Sequence, residues 1–372
     1  MCDMGLYVWK YGYRKILEPW AEKFAWLDPD IVSYAALIIS GFTAGCYVLA
    51  AEYPVLLLLA ILLIFTRMTM NTIDGVMAIQ QGKTTLAGEI VNALPDRYAD
   101  VVLLLGLVYC PFCRQDLAIF AMGTVFLVSY TGMLGKAIGV SWQHHGPLGK
   151  VERLILLMVF TLIQLFSPAL SFLGFSLSPL SWCMVFYIIL GQITVFNRLR
   201  GQLREVCLKE WPASRERQAV AGRALVVYDS QTGNTKIIAE RIASTLSVKC
   251  CSVKEPFDDR LYDLAIFCTP NIRGNCTARM VEFLKKTPPR FNYYGIVVSY
   301  GAPLWGWPTA VKTGRFMAAR LGGRPLKCFP VKGYHAKFKT YKGRPNQADQ
   351  DKAAVFAVNI ARKMSKRSAH EQ

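Results

Sequence analysis

The sequence predicts two domains: an all-α bundle of six transmembrane helices, followed by an α/β domain with a doubly wound parallel sheet. Of its 372 residues, 53% are apolar and the mean hydropathy is +0.28, which is high for a soluble protein. Charge is divided unevenly: residues 1–208 carry 14 Lys+Arg and 13 Asp+Glu, and residues 209–372 carry 29 and 12. From residue 223, short β-branched segments alternate with helical ones, as in parallel sheets. We therefore expect a membrane domain over 1–205, a linker over 206–222 and a second domain over 223–372.

The membrane domain begins with a mixed aromatic and basic segment. Residues 1–30 have apolar side chains at helical spacing, which predicts an amphipathic helix lying in the membrane interface. Six apolar segments follow, each near the ~20 residues that a helix needs to cross a bilayer. The predicted spans are 31–51, 54–79, 84–109, 116–140, 150–168 and 179–199.

Basic residues indicate how these segments are oriented. They cluster at one set of segment ends, and the loop FSPALSFLGFSLSP on the other side has no charge. By the positive-inside rule, both termini and the second domain are expected in the cytoplasm. The net charge of +17 over residues 209–372 favours anionic membrane lipids as partners. Nucleic acid is not expected, because the sequence has no Lys/Arg run or basic motif interleaved with aromatics.

Polar side chains interrupt the second and third apolar segments. Asn71, Asp74 and Ala78 recur at intervals of three and four, so they share one helix face. Segment three carries a similar stripe, formed by Glu89, Asn92, Asp96 and Asp100. Ionisable groups inside a membrane are costly and therefore indicate function. Carboxylate and amide oxygens suit a hard divalent cation such as Mg²⁺, which in turn suits phosphate chemistry.

The stretch NTIDGVMAIQQGKTTLAGEIVNALPD resembles the signature of CDP-alcohol phosphatidyltransferases, D-x2-D-G-x2-A-R-x8-G-x3-D-x3-D. The spacing fits at every position of the signature, and the resemblance covers about residues 5–205. The sequence departs from the signature at Asn71 and Asn92, which replace aspartates, and at Ile79, which replaces arginine.

The resemblance implies a membrane transferase that moves a phospholipid moiety from a CDP-linked lipid to an acceptor alcohol and releases CMP. In this family the aspartates hold two divalent ions, Mg²⁺ or Mn²⁺. By resemblance, Asp96 is the catalytic base and Asp74 a retained ligand, while three small residues contact the nucleotide: Gly75, Ala78 and Gly88. Asn71 and Asn92 retain oxygen ligands without charge, and Glu89 and Asp100 on the same stripe would compensate. Family members often form homodimers.

Lys150 and Arg153 lie three residues apart at the start of segment five. Their positive charges fit either a contact to a phosphate or another anionic group of the substrate or an anchor at the cytoplasmic interface. The residues alone leave both interpretations open.

In the second domain, SQTGNT follows the first predicted strand and opens a helix, where backbone N–H groups bind phosphate. This pattern resembles the FMN phosphate loop of flavodoxins, and the resemblance covers about 223–368. It implies the strand order 2-1-3-4-5 and FMN as cofactor. The implied phosphate-loop residues are Ser230, Gln231, Thr232, Gly233, Asn234 and Thr235. A second loop contributes Thr269, Pro270 and Asn271, and a third contributes Tyr300, Gly301, Trp305 and Trp307.

Two functions follow from these resemblances. The first is a phosphatidyltransferase carrying a fused FMN-binding domain. The second is a catalytically silent membrane anchor for a flavodoxin-like electron carrier that serves a membrane reductase as its redox partner. Asn71 and Asn92 favour the second function, whereas the preserved spacing favours the first.

Overall fold

The computed structural model describes residues 19, 29–80, 86–141, 146–172, 174–220, 223–256, 258, 260–286, 289–322, 324–335 and 338–370. The predicted interfacial helix, apart from Pro19 and residues 29–30, lies outside this range. The chain divides between Gln202 and Leu203 into two compact units.

The first unit is built from six long helices. They are α1 (Pro29–Val48), α2 (Leu56–Gln80), α3 (Leu86–Val108), α4 (Gln115–Ala137), α5 (Lys150–Phe166) and α6 (Pro179–Glu210). α1 packs against both α2 and α3, α2 packs against α5, and α3 packs against α4. The α1–α3 contact is close, because a Cβ added at Gly106 would lie 2.5 Å from the Cα of Ala44.

Four helical stretches in the described part of the chain are long and apolar enough to cross a membrane: Ile31–Ala51, Leu56–Met77, Gln115–Ala137 and Pro179–Ala213. The other two predicted segments are also helical. However, α3 carries the charged stripe, and α5 has only 17 residues. Six spans are therefore not confirmed by length and composition. The uncharged loop before α6 contains an antiparallel hairpin of β1 (Leu170–Phe172) and β2 (Phe175–Leu177).

The second unit has a five-stranded parallel sheet with helices on both faces. Its strands are β3 (Ala224–Tyr228), β4 (Lys249–Ser252), β5 (Leu261–Pro270), β6 (Arg290–Tyr300) and β7 (Arg324–Lys332). They lie in the order β4-β3-β5-β6-β7, which is 2-1-3-4-5 counted within this sheet. Adjacent strands are parallel, with Val226 of β3 beside Cys250 and Ile266.

Side chains alternate between the two faces of the sheet along each strand, so the second unit has one hydrophobic core on each face. The helices of this unit are α7 (Arg215–Val220), α8 (Asn234–Leu246), α9 (Ala278–Lys286), α10 (Gly306–Ala318) and α11 (Gln347–His370). Val226 packs with α8 and α11 on one face of the sheet. Its neighbours Leu225 and Val227 pack with α9 and α10 on the other.

The predicted linker is folded over most of its length. The end of α6, a 3₁₀ turn over Trp211–Ala213, and α7 occupy 206–220. Trp211 is buried in the core beside α8, and its indole N–H donates to the Thr245 carbonyl oxygen over 2.9 Å. A large aromatic side chain with a satisfied N–H stabilises this segment as part of the second unit.

Candidate functional site

On α2, Asp74 and Asn71 form the first part of a buried polar site. Asp74 is 3% exposed; its Oδ2 accepts a hydrogen bond from the Ser33 hydroxyl over 3.0 Å, and its Oδ1 accepts one from the Gly75 N–H over 2.6 Å. One turn earlier, the amide oxygen and nitrogen of Asn71 are buried without a hydrogen-bond partner among the described residues. A buried polar group left unpaired costs about 1–3 kcal/mol, so this amide marks a place where a ligand would be stabilising.

Asp96 of α3 and Lys150 of α5 form the second part. The Lys150 Nζ lies 2.5 Å from the Asp96 Oδ2, and both side chains are partly exposed. Lys150 also interacts electrostatically with Asp74 and Asp100. The ion pair thus joins α5 to α3 at Asp96, one of the carboxylates that the sequence singled out.

Asp100 is held by arginines. Its Oδ1 lies 2.8 Å from Arg67 NH2 and its Oδ2 lies 2.9 Å from Arg153 NH2. Arg97 approaches Oδ2 at 3.5 Å and also donates to the Ser129 hydroxyl. With both oxygens occupied by guanidinium groups, Asp100 fits a structural role in this site and not the compensating metal ligand that we expected. Arg153 likewise points to Asp100 and is 5% exposed, so it is not an interfacial anchor.

The small residues of the signature are described in part. Among the described residues, a Cβ added at Gly75 would meet no atom within 4 Å. The side-chain positions of Ala78, Gly88, Glu89 and Asn92 lie outside the described residues, so the structure leaves their predicted roles untested.

The site fits a hard divalent cation through oxygen ligands. Within the described ranges, no three His, Cys, Asp or Glu side chains converge as a metal-binding group. The fit therefore depends on the unpaired amide oxygen of Asn71 together with the carboxylates of Asp74 and Asp96. Such oxygens are the ligands that Mg²⁺ and Mn²⁺ prefer.

Sequence analysis missed three residues of this site: Ser33, Arg67 and Arg97. Arg67 is 1% exposed, although its Nε and NH1 have no hydrogen-bond partner among the described residues. The helical interval of four from Arg67 to Asn71 places both on one face. Extending the polar face of Asn71 by one helical turn toward the N-terminus would therefore have identified Arg67 from the sequence.

In the second unit, the loop 230–235 connects β3 to α8. Gly233 adopts a left-handed conformation with φ of +86°, and its N–H donates to the Ser230 hydroxyl over 3.1 Å. Gln231 and Thr232 are exposed. Because the first N–H groups of an α-helix have no intrahelical partner, the start of α8 fits a phosphate.

The remaining loop residues are engaged within the protein. The Asn234 amide donates to the Tyr334 carbonyl oxygen over 2.8 Å. The buried Thr235 hydroxyl bonds to the Ser299 hydroxyl at 2.8 Å. These two side chains hold the loop in place, which leaves backbone groups, Gln231 and Thr232 to contact a ligand.

In the second and third loops, several side chains that were expected to contact FMN are buried or hydrogen-bonded within the protein. Thr269 is fully buried, and the Asn271 side chain bonds to Thr309, Thr313 and the Gly274 N–H. Tyr300 is also buried: its ring packs edge-on to Tyr341, and burial raises the pKa of its phenol. Tyr300 therefore cannot stack on a flavin in this conformation, because its side chain alternates inward at the end of β6. Trp305 and Trp307 are exposed, as a stacking role requires.

Two further residues of the second and third loops have structural surroundings. Pro270 ends β5, beside Ser299 of β6. A Cβ added at Gly301 would lie 2.5 Å from the Cβ of His335, so only glycine allows the third loop to approach that segment.

A buried carboxylate, which sequence analysis missed, lies beside the phosphate loop. Asp229 is 2% exposed, accepts a hydrogen bond from the Thr277 hydroxyl and pairs with Arg279 NH2 at 3.1 Å. Its position directly after β3 was the available signal, since the carboxyl ends of parallel strands form the ligand-binding edge of such sheets.

No family model matches the chain. Inner membrane protein YnbA of Escherichia coli K12 is 28% identical over 203 residues, which are 54% of this chain and 97% of that protein. An uncharacterized protein of Aquifex aeolicus VF5 is 28% identical over 195 residues, 50% of this chain and 89% of that protein. The chain is thus similar to an inner membrane protein over about half of its length.

Two solved structures show low similarity to parts of the chain. Mycobacterium tuberculosis phosphatidylinositol phosphate synthase with CDP-DAG bound is 22% identical with a TM-score of 0.41, over 50% of this chain and 94% of that one. A flavodoxin from the domain Archaea is 19% identical with a TM-score of 0.30, over 38% of this chain and 98% of that one.

Proposed function

We propose that the first unit is a membrane phosphatidyltransferase that moves a phospholipid moiety from a CDP-linked lipid to an acceptor alcohol. The observation that carries this proposal is the Lys150–Asp96 ion pair between α5 and α3, together with the buried Asp74 and the unpaired Asn71 amide on α2. Asp74 and Asp96 are positions at which the stretch 71–96 matches the CDP-alcohol phosphatidyltransferase signature. A buried polar cluster within apolar helices is costly unless it serves a function.

In this proposal Asn71, Asp74 and Asp96 hold a divalent ion, Mg²⁺ or Mn²⁺. The ion, when bound, neutralises charge on the pyrophosphate of the donor. Gly75 leaves room for the nucleotide, since no atom lies within 4 Å of its Cβ position. Ala78 and Gly88 complete that contact by their places in the signature, and Glu89 and Asn92 would add oxygens from α3. Asp100 is left out of the ligand set because arginines occupy both of its oxygens.

Asp96 is the proposed base. Its carboxylate accepts the proton of the acceptor hydroxyl, whose oxygen forms a bond to the β-phosphorus of the donor. The bond from that phosphorus to the oxygen of CMP breaks, and CMP leaves. The Nζ of Lys150, 2.5 Å from Asp96 Oδ2, places a positive charge where the transferred phosphate develops negative charge.

The experiment is CMP release from a CDP-linked lipid by the purified full chain in detergent. We expect release to need both a divalent ion and an acceptor alcohol, and a panel of acceptors will show which headgroup is used. Absence of CMP release with every acceptor, from folded protein, would exclude the transferase.

We further propose that the second unit binds FMN, with the phosphate on the loop 230–235 and the ring against Trp305 or Trp307. The support is Gly233, whose left-handed conformation lies at the start of α8, beside the carboxyl edge of the sheet. Flavin absorbance of the purified protein, before and after addition of FMN, tests this proposal separately from transferase activity.

The alternative is a silent anchor whose flavodoxin-like unit passes electrons to a membrane reductase. The observation that favours it is the Lys150–Asp96 ion pair, which neutralises the proposed base when no substrate is bound. Bound, reducible FMN together with absence of CMP release would select this function.

A further inference from the structure

Large apolar side chains are exposed at one edge of the second unit. Their exposed fractions are 83% for Leu304, 75% for Trp305, 65% for Phe338, 58% for Trp307 and 41% for Ile272. Single exposed apolar residues are ordinary, but a group of large ones marks an interaction site. We name these five residues the loop surface.

The three loops that carry the loop surface are connected to one another. The Asn271 amide donates to the Thr309 hydroxyl over 2.7 Å, which joins the second loop to the start of α10. The Thr340 hydroxyl donates to the Gly301 carbonyl oxygen over 2.5 Å, which joins the third loop to the segment after β7. The rings of His335 and Phe338 lie 4.7 Å apart, so this segment also holds Phe338. The five residues therefore belong to adjoining loops and can meet one partner.

The stretch of chain that contains four of the five loop-surface residues carries basic residues and no acidic ones. Residues 283–348 contain 13 Lys+Arg and no Asp or Glu. Four exposed cations stand within or directly beside the three loops: Arg273, Lys312, Lys339 and Lys342. A partner that complements this edge therefore has an anionic surface over an apolar interior.

We propose that the loop surface, apart from the one tryptophan ring that contacts the flavin, inserts into an anionic lipid bilayer, with the surrounding cations on the headgroups. A bilayer offers both required chemistries, and tryptophan, leucine and phenylalanine are the side chains that interfacial anchors use. Four described helices of the same chain are long and apolar enough to cross a membrane, so the chain that carries this unit also carries segments suited to a bilayer. Leu304, the most exposed of the five, is aliphatic and gains from lipid burial but cannot stack on a flavin or a nucleotide base.

The test measures amide hydrogen exchange of the full chain in lipid nanodiscs. One nanodisc contains phosphatidylcholine alone and the other contains an equal part of phosphatidylglycerol. We expect the amides of 302–308 and 338–342 to exchange at least about tenfold more slowly in the anionic nanodisc, because each cation near such a surface adds to the affinity. Concentrated salt should remove this difference, since it shortens the screening length to ~3 Å at 1 M.

Two variants identify the contacts. Leu304→Asn with Phe338→Asn, and separately Lys339→Gln with Lys342→Gln, should each abolish the slowing, while the amides of β5 and β6 exchange as before. Neither variant touches a residue that we assign to the flavin site. Unchanged β5 and β6 amides show that the unit is still folded.

Three results would overturn the proposal. The first is equal exchange of these loops in neutral and anionic nanodiscs. The second is slowing in neutral nanodiscs on addition of FMN or of a single-stranded oligonucleotide, with no effect of anionic lipid. The third is slowing by anionic lipid that persists in both variants.

Discussion

The Nζ of Lys150 lies 2.5 Å from the Oδ2 of Asp96, so the proposed base is paired with a cation from another helix. Lys150 begins α5 and Asp96 lies within α3. The pair therefore connects one of the two signature helices to a helix outside the signature. In this account Lys150 has two opposite effects, which can be measured independently.

Lys150→Gln should strengthen metal binding while it weakens catalysis. Removing a positive charge from beside Asp96 should increase the affinity for Mn²⁺ by about tenfold. The same change should lower kcat/KM for the CDP-lipid, because the cation that faces the phosphate is lost. Mn²⁺ titration by electron paramagnetic resonance and CMP release measure the two effects. The matched control is Lys136→Gln, a change at an exposed lysine in the last turn of α4. Weaker Mn²⁺ binding in Lys150→Gln would contradict the account.

Asp100→Asn should destabilise the protein without removing a metal ligand. The substitution leaves Arg67 and Arg153 buried without a carboxylate, which costs about 3–5 kcal/mol. We expect a clear fall in Tm and no change in Mn²⁺ bound per folded chain. Asp116→Asn is the control, since its pair with Arg114 is exposed and an exposed ion pair contributes little to stability. If Asp100→Asn lowers the Mn²⁺ stoichiometry at unchanged Tm, Asp100 is a ligand after all.

Two glycine-to-alanine substitutions should have opposite consequences. At Gly75 the new Cβ meets open space, so Tm should stay constant while KM for the CDP-lipid rises. At Gly106 the Cβ would lie 2.5 Å from the Ala44 Cα, so overpacking should cost about 1–3 kcal/mol. Thermal unfolding and steady-state kinetics of both variants check this pair. A large stability loss at Gly75, with KM unchanged, would assign that glycine to packing.

Gly233→Ala should lower FMN affinity. Its φ of +86° is strained for any residue with a Cβ, so the substitution costs about 1 kcal/mol and moves the start of α8. Gly322→Ala is the matched control, because its Cβ would contact nothing within 4 Å and its φ is ordinary. Flavin fluorescence titration compares the two variants. Equal FMN affinity in both would remove the loop 230–235 from the proposed site.

The local features of the fold could be predicted from the sequence. The hydrophobic periodicity of the sequence predicted all six long helices and the five strands of the sheet, because helices and strands differ in period and in length. It did not show that α5 has only 17 residues and ends at Phe166. Nor could it show that Trp211, which lies in the predicted linker, is buried in the core of the second unit.

The candidate site could be predicted only one helix at a time. Intervals of three and four showed that Asp96 and Asp100 share a face, but not which cation meets each carboxylate. Lys150 and Arg153 share a face as well, yet one pairs with Asp96 and the other with Asp100. Pairing between helices depends on packing angle and depth, which a single sequence does not contain. Nor could the sequence show that Tyr300 is buried, because both faces of the sheet are covered and residues of either parity in β6 are buried.

The most direct measurement compares CMP release by Asp96→Asn and by Asp116→Asn, each as full-length protein with Mn²⁺, CDP-lipid and the acceptor found for the unmodified chain. Both substitutions remove one carboxylate charge, at the proposed base in α3 and at an exposed position in the first turn of α4. The account predicts that Asp96→Asn lowers kcat by about 10²–10⁴-fold, while Asp116→Asn retains the activity of the unmodified protein. Equal activity of the two variants would contradict the assignment of Asp96 as the base.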